Sequence, residues 1–167
     1  MMMDRAQIEA LLDRRQVDYH VAEHPAALTI GDMQKFHLDG SEGIVKNLFL
    51  RDDKKKNYYL VVVRQDKTVN LKALRRELGT RPLSFASEAD LERLLGLHKG
   101  EVTPMGILND TDRVVQVVFD KDVLEQDRLG VHPNTNTATL FLAPAELWAL
   151  LEEHGNSLVT ARIEQGA

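Results

Sequence analysis

The amino-acid sequence predicts a mixed α/β fold, that is, an α+β arrangement built on a mixed β-sheet. Three observations favour this class. Predicted strands and helices alternate irregularly, one pair of adjacent strands forms a hairpin, and hydrophobic and charged residues make up 43% and 28% of the chain, a balance typical of globular proteins. No GxGxxG segment and no P-loop is present, which argues against a doubly wound nucleotide-binding fold. At 167 residues the chain is predicted to form a single domain, residues 1–167.

Four helices are predicted from apolar residues at helical spacing and from the residues that flank them. Each begins at or beside a residue type common at helix N-termini, namely Asp4, Asn70, Ser87 and Pro144. Gln7 lies three residues after the first of these and Asp90 three residues after the third, a spacing typical of capping boxes. Gly79, Gly96 and Gly155 are predicted to end the last three helices.

Four strands are predicted, at residues 44–51, 57–64, 113–120 and 137–143. The first two flank the polar segment DDKKK, which predicts a hairpin with a longer loop. In the second strand the side chains that point to either face of the sheet are apolar. That strand is therefore predicted to be covered on both faces.

A lysine, Lys46, interrupts the apolar face of the strand 44–51. An unpaired ammonium is costly to bury, so this side chain is expected either to reach solvent at the strand end or to meet an anionic group. In the second case it is a fixed cation for a phosphate or a carboxylate. Its neighbour Asn47 is predicted to lie on the opposite face and to have a different role.

The segment GEVTPMG, residues 100–106, is predicted to form a stiff loop because two glycines surround Pro104. Such a loop exposes backbone N–H groups, which can donate to a carbonyl or to a developing oxyanion. The alternative is a plain connection into the strand 113–120, and the pattern alone favours that alternative.

The segment HPNTNTAT, residues 132–139, is rich in small hydrogen-bonding side chains that cannot build a core. His132 has no second histidine or carboxylate at ligand spacing, so a metal site there is poorly supported. His20 and His24 are four residues apart but lead into a proline, which disfavours a helical ligand pair. The chain has no cysteine, and no serine lies in a nucleophile-elbow sequence.

The formal net charge of −5 argues against a protein that coats long nucleic acid. It also argues against a DNA-binding regulator, for which the sequence shows no helix-turn-helix signal. Contact with nucleic acid is expected through a small basic patch, for which the candidates are Lys54, Lys55, Lys56, Arg75, Arg76 and Arg81. The sequence shows no signal peptide and no apolar run near the roughly 18 residues of a spanning helix. We therefore expect a cytoplasmic protein with no membrane partner.

Five segments, KNLFLRD, LSF, GEVTPMGILND, VVFD and HPNTNTAT, resemble in this order the YbaK/ProX superfamily of free-standing aminoacyl-tRNA editing proteins. The resemblance covers about residues 5–155 and is strongest to the prolyl-tRNA deacylase branch, whose members remove alanine from proline tRNA. It implies a curved mixed β-sheet surrounded by helices. It also implies hydrolysis of the aminoacyl ester of a mischarged tRNA without a metal or a cofactor.

The resemblance also implies roles for individual residues. Lys46 matches a lysine that helps to hold the 3′ end of the tRNA, Gly100 and Pro104 match the family's loop, and His132 matches its histidine. These four are the expected catalytic residues. The expected substrate-binding residues are Asn47, Thr103, Asn134, Thr135 and Asn136. The tail SLVTARIEQGA matches nothing in the family.

Two other functions stay open at this point. One is removal of cysteine, not alanine, from proline tRNA. The other is a module that binds a charged tRNA or an amino acid without hydrolysing it, although a complete Lys46, Gly100, Pro104 and His132 set argues against an inactive pocket. A prolyl-tRNA synthetase that delivers the substrate is a further candidate partner.

Overall fold

The computed structural model describes residues 2–27 and 29–165, and within them it contains two β-sheets surrounded by helices. The strands are β1 Tyr19–Glu23, β2 Val45–Asp52, β3 Tyr58–Arg64, β4 Leu83–Phe85, β5 Val115–Asp120, β6 Leu129–Val131, β7 Ala138–Leu142 and β8 Leu158–Ala161. The α-helices are α1 Arg5–Arg14, α2 Ile30–Gln34, α3 Leu71–Leu78, α4 Glu88–Leu95, α5 Lys121–Leu124 and α6 Pro144–His154. Short 3-10 helices cover Ser41–Gly43 and Pro104–Asn109.

The four predicted helices are α1, α3, α4 and α6; side-chain caps mark the starts of the first three, whereas α6 begins at Pro144. Asp4 and Ser87 each form a complete capping box, in which the side chain three residues later bonds back to the cap backbone. The Asn70 side chain accepts from two amides of the first turn of α3. Caps of this kind satisfy amides that have no partner inside the helix, so they fix where each helix begins.

The larger sheet is mixed and has the strand order β4-β2-β3-β5-β8. Strands β4, β2 and β3 pair antiparallel, whereas β3, β5 and β8 pair parallel. The carboxyl ends of the three parallel strands therefore lie at one edge, where Arg64, Asp120 and Ala161 end their strands. In β3 all residues from Tyr58 to Val63 are buried, which confirms the prediction that this strand is covered on both faces.

The smaller sheet is antiparallel, in the order β1-β7-β6, and a single bridge from Ile44 to Gly130 links it to the larger sheet in the part of the chain that the structure describes. A side chain at Gly130 would bring its Cβ within 2.7 Å of the Ile44 side chain and 2.9 Å of the Phe141 ring. Glycine thus permits the close contact between the sheets. The predicted class, a mixed sheet with surrounding helices, is confirmed, with the sheet divided into two parts.

Three hydrophobic clusters hold these layers together. The largest lies between the sheets and helices α1, α4 and α6, and a second lies on the other face of the larger sheet under α3. The third is small and joins Met33 of α2 to Ile44 and Phe141. None of the helices described is long and apolar enough to cross a membrane.

Candidate active site

An open pocket of about 520 Å³ lies where the two sheets meet. Its walls come from α2 and the residue before it, from the start of β2, from the loop at residue 100 and from the ends of β6 and β7. The lining side chains that can form hydrogen bonds are Thr29, Lys46, Asn47, Gln65, His132 and Thr139. The apolar part of the wall includes Ile30, Met33, Ile44 and Val131.

Lys46 lies at the pocket with its side chain half-buried. Its ammonium donates to the backbone carbonyl oxygen of Lys67, so its partner is a neutral carbonyl and not an anion. Burial lowers the pKa of Lys46, and the charge of Asp66 partly opposes that shift. An ammonium has three N–H donors, so two of them stay available to a ligand in the pocket.

Asn47 also lines this pocket, although strand alternation places it on the other face of β2. The pocket lies at the start of the strand, where both faces can reach it. The Asn47 amide nitrogen donates to the Val102 carbonyl oxygen at 3.3 Å. Its Oδ1 is buried and has no hydrogen-bond partner among the described residues, so it can accept a hydrogen bond from a ligand.

The loop at residue 100 contributes backbone to the pocket. Gly100 and Val102 line it, and Gly100 has a φ of +87°, a conformation that L side chains rarely adopt. The amide of Glu101 is already bonded to the His98 carbonyl oxygen at 3.0 Å. Within the described residues, the amides of Gly100 and Val102 have no acceptor, which leaves them as donors for an oxygen of a ligand.

Thr103 and Pro104 are buried behind this loop and lie outside the pocket lining. The Thr103 hydroxyl donates to the His132 carbonyl oxygen at 2.5 Å and accepts from the Met105 amide at 3.2 Å. Pro104 begins the 3-10 helix Pro104–Asn109. These two residues therefore fix the loop against the segment that carries His132.

His132 is half-buried at the pocket, and its ring is held by one hydrogen bond. Its Nδ1 lies 3.0 Å from the Ala138 carbonyl oxygen, which can only accept, so Nδ1 carries the hydrogen. Burial lowers the pKa of His132, and the nearby His24 acts in the same direction, whereas the Ala138 carbonyl and Glu101 oppose the shift. In the neutral ring Nε2 is then an acceptor.

The lowered pKa of His132 predicts how activity and stability depend on pH. As the pH is lowered, kcat/KM should stay at its maximum until the pH is below about 6.5, the ordinary imidazole pKa. The reason is that the His132 ring stays neutral to a lower pH than a free imidazole does. The unfolded chain takes up the proton first, so the free energy of unfolding should fall as the pH drops below about 6.5. Profiles of the wild-type and His132→Gln proteins measure this effect. The prediction would be contradicted if kcat/KM of the wild-type protein already fell at a pH above 6.5 and this fall were absent in His132→Gln.

Besides Thr103, three further residues predicted to bind substrate lie away from the pocket lining. Asn134, whose φ is +57°, donates its side-chain amide to the Met3 carbonyl oxygen at 2.9 Å. The Thr135 hydroxyl contacts the Thr137 hydroxyl, and the Asn136 carbonyl oxygen accepts from the Ala27 amide. Their substrate contacts stay a prediction, and in this structure they hold the loop to neighbouring segments.

Thr139 lines the pocket and was not among the predicted site residues. It is fully buried, and its hydroxyl lies 2.9 Å from Nε2 of His24, whose ring stacks on Phe36. Nδ1 of His24 lies 2.8 Å from the Pro25 carbonyl oxygen, so Nε2 accepts from the threonine. The only sequence signal for Thr139 was its place at the end of the polar segment 132–139.

His20 and His24 do not form a helical pair, since His20 lies in β1 and stacks on Phe141. Among residues 2–27 and 29–165, no group of three or more histidine, cysteine or carboxylate side chains is arranged to hold a metal ion.

The candidate basic residues lie mostly at the other end of β2. Lys54, Lys55 and Lys56 belong to the turn after Asp52, six residues beyond Lys46 and thus about 20 Å away at ~3.3 Å per residue. Arg81 pairs with Asp53 at 2.6 Å, while Arg75 and Arg76 are exposed on α3. A ligand that touched both the pocket and this turn would have to extend along the strand.

Counting only partners in the described part of the chain, the pocket therefore combines an ammonium, two backbone amides without an acceptor and an imidazole whose Nε2 has no partner. These groups can hold an anionic or hydroxyl-bearing end, polarise a carbonyl and orient a water molecule. Such a set fits a hydrolase that acts on an activated carboxylic ester.

Comparison with known proteins identifies the family. Residues 24–150 match the family model described as the aminoacyl-tRNA editing domain. Over 158 residues the chain is 42% identical to the prolyl-tRNA editing protein ProX of Acetoanaerobium sticklandii, covering 94% of this chain and 96% of that protein. It is 37% identical to the prolyl-tRNA synthetase associated domain-containing protein 1 of Mus musculus, with 91% and 92% of the two chains covered.

A solved structure proposed to be a trans-editing enzyme for prolyl tRNA synthetase has a TM-score of 0.72 and 25% identity, with 99% of this chain and 100% of that chain covered. The chain belongs to the aminoacyl-tRNA editing domain family. The predictions of this family, of its fold and of an aminoacyl-tRNA deacylase are confirmed. Its substrate is accordingly a charged tRNA.

Proposed function

We propose that this protein acts in trans on mischarged proline tRNA and removes alanine by hydrolysing the aminoacyl ester. The observation that carries the proposal is the meeting of Lys46, the Gly100 loop and His132 around one pocket. The names of the relatives, a prolyl-tRNA editing protein among them, support proline tRNA as the carrier.

Lys46 binds the terminal phosphate or ribose oxygens of the tRNA. Its ammonium is held at the pocket by the Lys67 carbonyl and keeps two donors for these oxygens. Positioning of this kind is the main requirement of the reaction, because the aminoacyl ester is already activated.

The ester carbonyl oxygen lies against the amides of Gly100 and Val102. When water attacks the carbonyl carbon, this oxygen gains negative charge, and the two preorganised donors stabilise it. The tetrahedral intermediate then breaks its bond to the ribose oxygen. That oxygen takes up the proton that the attacking water gives up, so the ribose hydroxyl is regenerated and the free amino acid is released.

The attacking water is oriented by acceptors on the opposite wall. His132 offers Nε2, and the Thr139 hydroxyl, whose hydrogen is directed to His24, offers an oxygen. The Asn47 Oδ1 atom, buried and without a partner in the described part of the chain, accepts from the amino group of the aminoacyl ester. No strong base is required at this site, because the ester is reactive and the water needs mainly direction.

A prolyl-tRNA synthetase that attaches alanine in error supplies this substrate. The names of several relatives, which contain the words prolyl-tRNA synthetase associated domain, support that connection. We propose that the synthetase releases the mischarged tRNA and that this protein acts on it in the cytoplasm.

Deacylation of a panel of mischarged tRNAs in excess EDTA tests the proposed function. Alanine is expected to be released from proline tRNA at full rate under chelation, since the proposed steps use side chains and backbone amides only. A preference for cysteine would assign the protein to the cysteine-removing branch. Binding of charged tRNA without hydrolysis would show a binding module, and a loss of activity in EDTA that zinc restores would refute the metal-free mechanism.

A further inference from the structure

A buried lysine, Lys67, lies just beyond the carboxyl ends of the parallel strands β3, β5 and β8. It is 5% exposed, although lysine is rarely buried to this extent. Its ammonium contacts Asp120 at 2.8 Å, Asp122 at 2.7 Å and the Ile163 carbonyl oxygen at 2.6 Å. All three N–H donors are therefore used inside the protein, and Lys67 has none left for a ligand.

Stability alone is a weak explanation for such a cluster. Buried ion pairs can often be replaced by well-packed apolar residues without loss of stability, because burying the charges costs about as much as their attraction returns. What the cluster does provide is a fixed position for the backbone at residue 67. It ties that backbone to the strand that ends at Asp120 and to the segment after Ala161.

The backbone of this loop in turn holds Lys46. The Lys67 carbonyl oxygen accepts the hydrogen bond from the Lys46 ammonium. Next to it, the Thr68 amide donates to the Gln165 side-chain oxygen at 2.7 Å. On the other side, Gln65 donates to the carbonyl oxygen of Ile44 at 3.0 Å, so the loop is attached both to the pocket and to the tail.

We infer that Lys67 is a positioning residue for Lys46 and that two tail residues support the active site, Ile163 through its carbonyl oxygen and Gln165 through its side chain. This inference rests on the proposed role of Lys46 in holding the tRNA end. A lysine side chain has a flexible four-carbon stem, and the carbonyl of residue 67 restrains it at the pocket. The C-terminal tail, which resembles nothing in the family, thereby has the role of helping to position Lys46.

The test uses two mild changes, since removing Lys67 itself would leave two carboxylates facing each other. Gln165→Ala removes the acceptor for Thr68, and Asp122→Asn removes one charge but keeps an oxygen. Together they should lower kcat/KM for alanyl-tRNA roughly 10- to 100-fold, since small misplacements of a positioning group can have effects of that size. The thermal midpoint should change by only a few degrees, as Gln165 and Asp122 are both largely exposed or at the surface.

Three comparisons distinguish positioning from a structural role. Glu164→Gln alters an exposed residue of the same segment and should leave activity unchanged. Gln165→Glu keeps an acceptor oxygen for the Thr68 amide. Its activity should therefore be higher than that of Gln165→Ala and close to that of the wild-type protein. In a Lys46→Met background, measured in single turnover with excess enzyme, the Gln165→Ala and Asp122→Asn pair should change the rate less than about twofold, because Lys46 is no longer there to be positioned.

The outcomes separate this inference from the function it rests on. If Lys46→Met keeps full activity, the proposed role of Lys46 fails and the inference fails with it. If Lys46→Met is inactive while the Gln165 and Asp122 changes have no effect, only the inference is overturned. Equal losses with and without Lys46 would also overturn it, since the tail would then act through another group.

Discussion

Replacing Lys46 by alanine is expected to lower the deacylation rate by about 10²–10³-fold, the size of effect seen when one fixed electrostatic group is removed from an active site. The stability of the fold should stay nearly unchanged or rise slightly. Burial already disfavours the Lys46 ammonium, as its lowered pKa indicates, so its removal relieves a desolvation cost. The hydrogen bond to the Lys67 carbonyl is the interaction that the variant loses.

Single-turnover deacylation and a thermal melt of the same samples measure these two effects. Lys72→Ala is a matched control, because Lys72 is an exposed lysine of α3 that lies outside the pocket lining and is not one of the candidate basic-patch residues. The control should retain wild-type rates. Retained activity in Lys46→Ala would remove Lys46 from the mechanism, and a large drop in its melting temperature would show a structural role instead.

Alanyl esters are expected to be hydrolysed, seryl esters more slowly, and prolyl esters almost not at all. Proline is the correct product of the synthetase, so an editing site must spare it, and a pocket that admits only small side chains achieves this. Overpacking a tight site costs typically ~1–3 kcal/mol, which corresponds to roughly 5- to 150-fold rejection at about 1.4 kcal/mol per decade. Serine adds only a hydroxyl, which a mainly steric pocket rejects poorly.

Ile30→Ala tests whether the apolar wall performs this exclusion. Ile30 lines the pocket and is only half-buried, so its truncation should enlarge the pocket with a modest loss of stability. The ratio of alanyl to prolyl hydrolysis should fall about tenfold in this variant, as even one methylene group in a hydrophobic pocket is worth ~1–3 kcal/mol. Leu71→Ala, a half-buried residue of α3 outside the pocket, is the control. Equal rates on alanyl and prolyl esters in the wild-type protein would eliminate the steric explanation.

The parts of the fold that could be predicted are those with local signals. Helices α1 and α4 have capping boxes, and the β2–β3 hairpin has a polar turn between two apolar runs. Strands β4, β6 and β8 have only three or four residues each, too few for an alternation pattern to show. Strand β8 also pairs in parallel with a strand some 40 residues earlier, a partner that no neighbouring residue indicates.

The candidate site was predictable where one residue type is unusual for its place. Lys46 in an apolar strand and the glycine at position 100 both lie at the pocket. The substrate contact predicted for Asn134 stays a prediction, and its side-chain amide donates to the backbone of Met3, a contact that its sequence position did not indicate. Thr139 was missed, since a threonine in a strand is ordinary and only the folded chain brings it to His24. Long-range contacts of this kind leave no trace in local sequence.

The bridge between Ile44 and Gly130 has a consequence for the timing of synthesis. It joins residues 86 positions apart, and the pocket walls extend from Thr29 to Thr139. Contacts that distant form late, because a long chain segment must be closed before they contribute. A nascent chain in which Gly130 has not yet been synthesised therefore cannot join the two sheets and has no complete pocket. At about 5–20 residues per second, the ribosome needs roughly 4–17 seconds to extend the chain from Ile44 to Gly130, and during that interval the nascent protein has no complete site for tRNA.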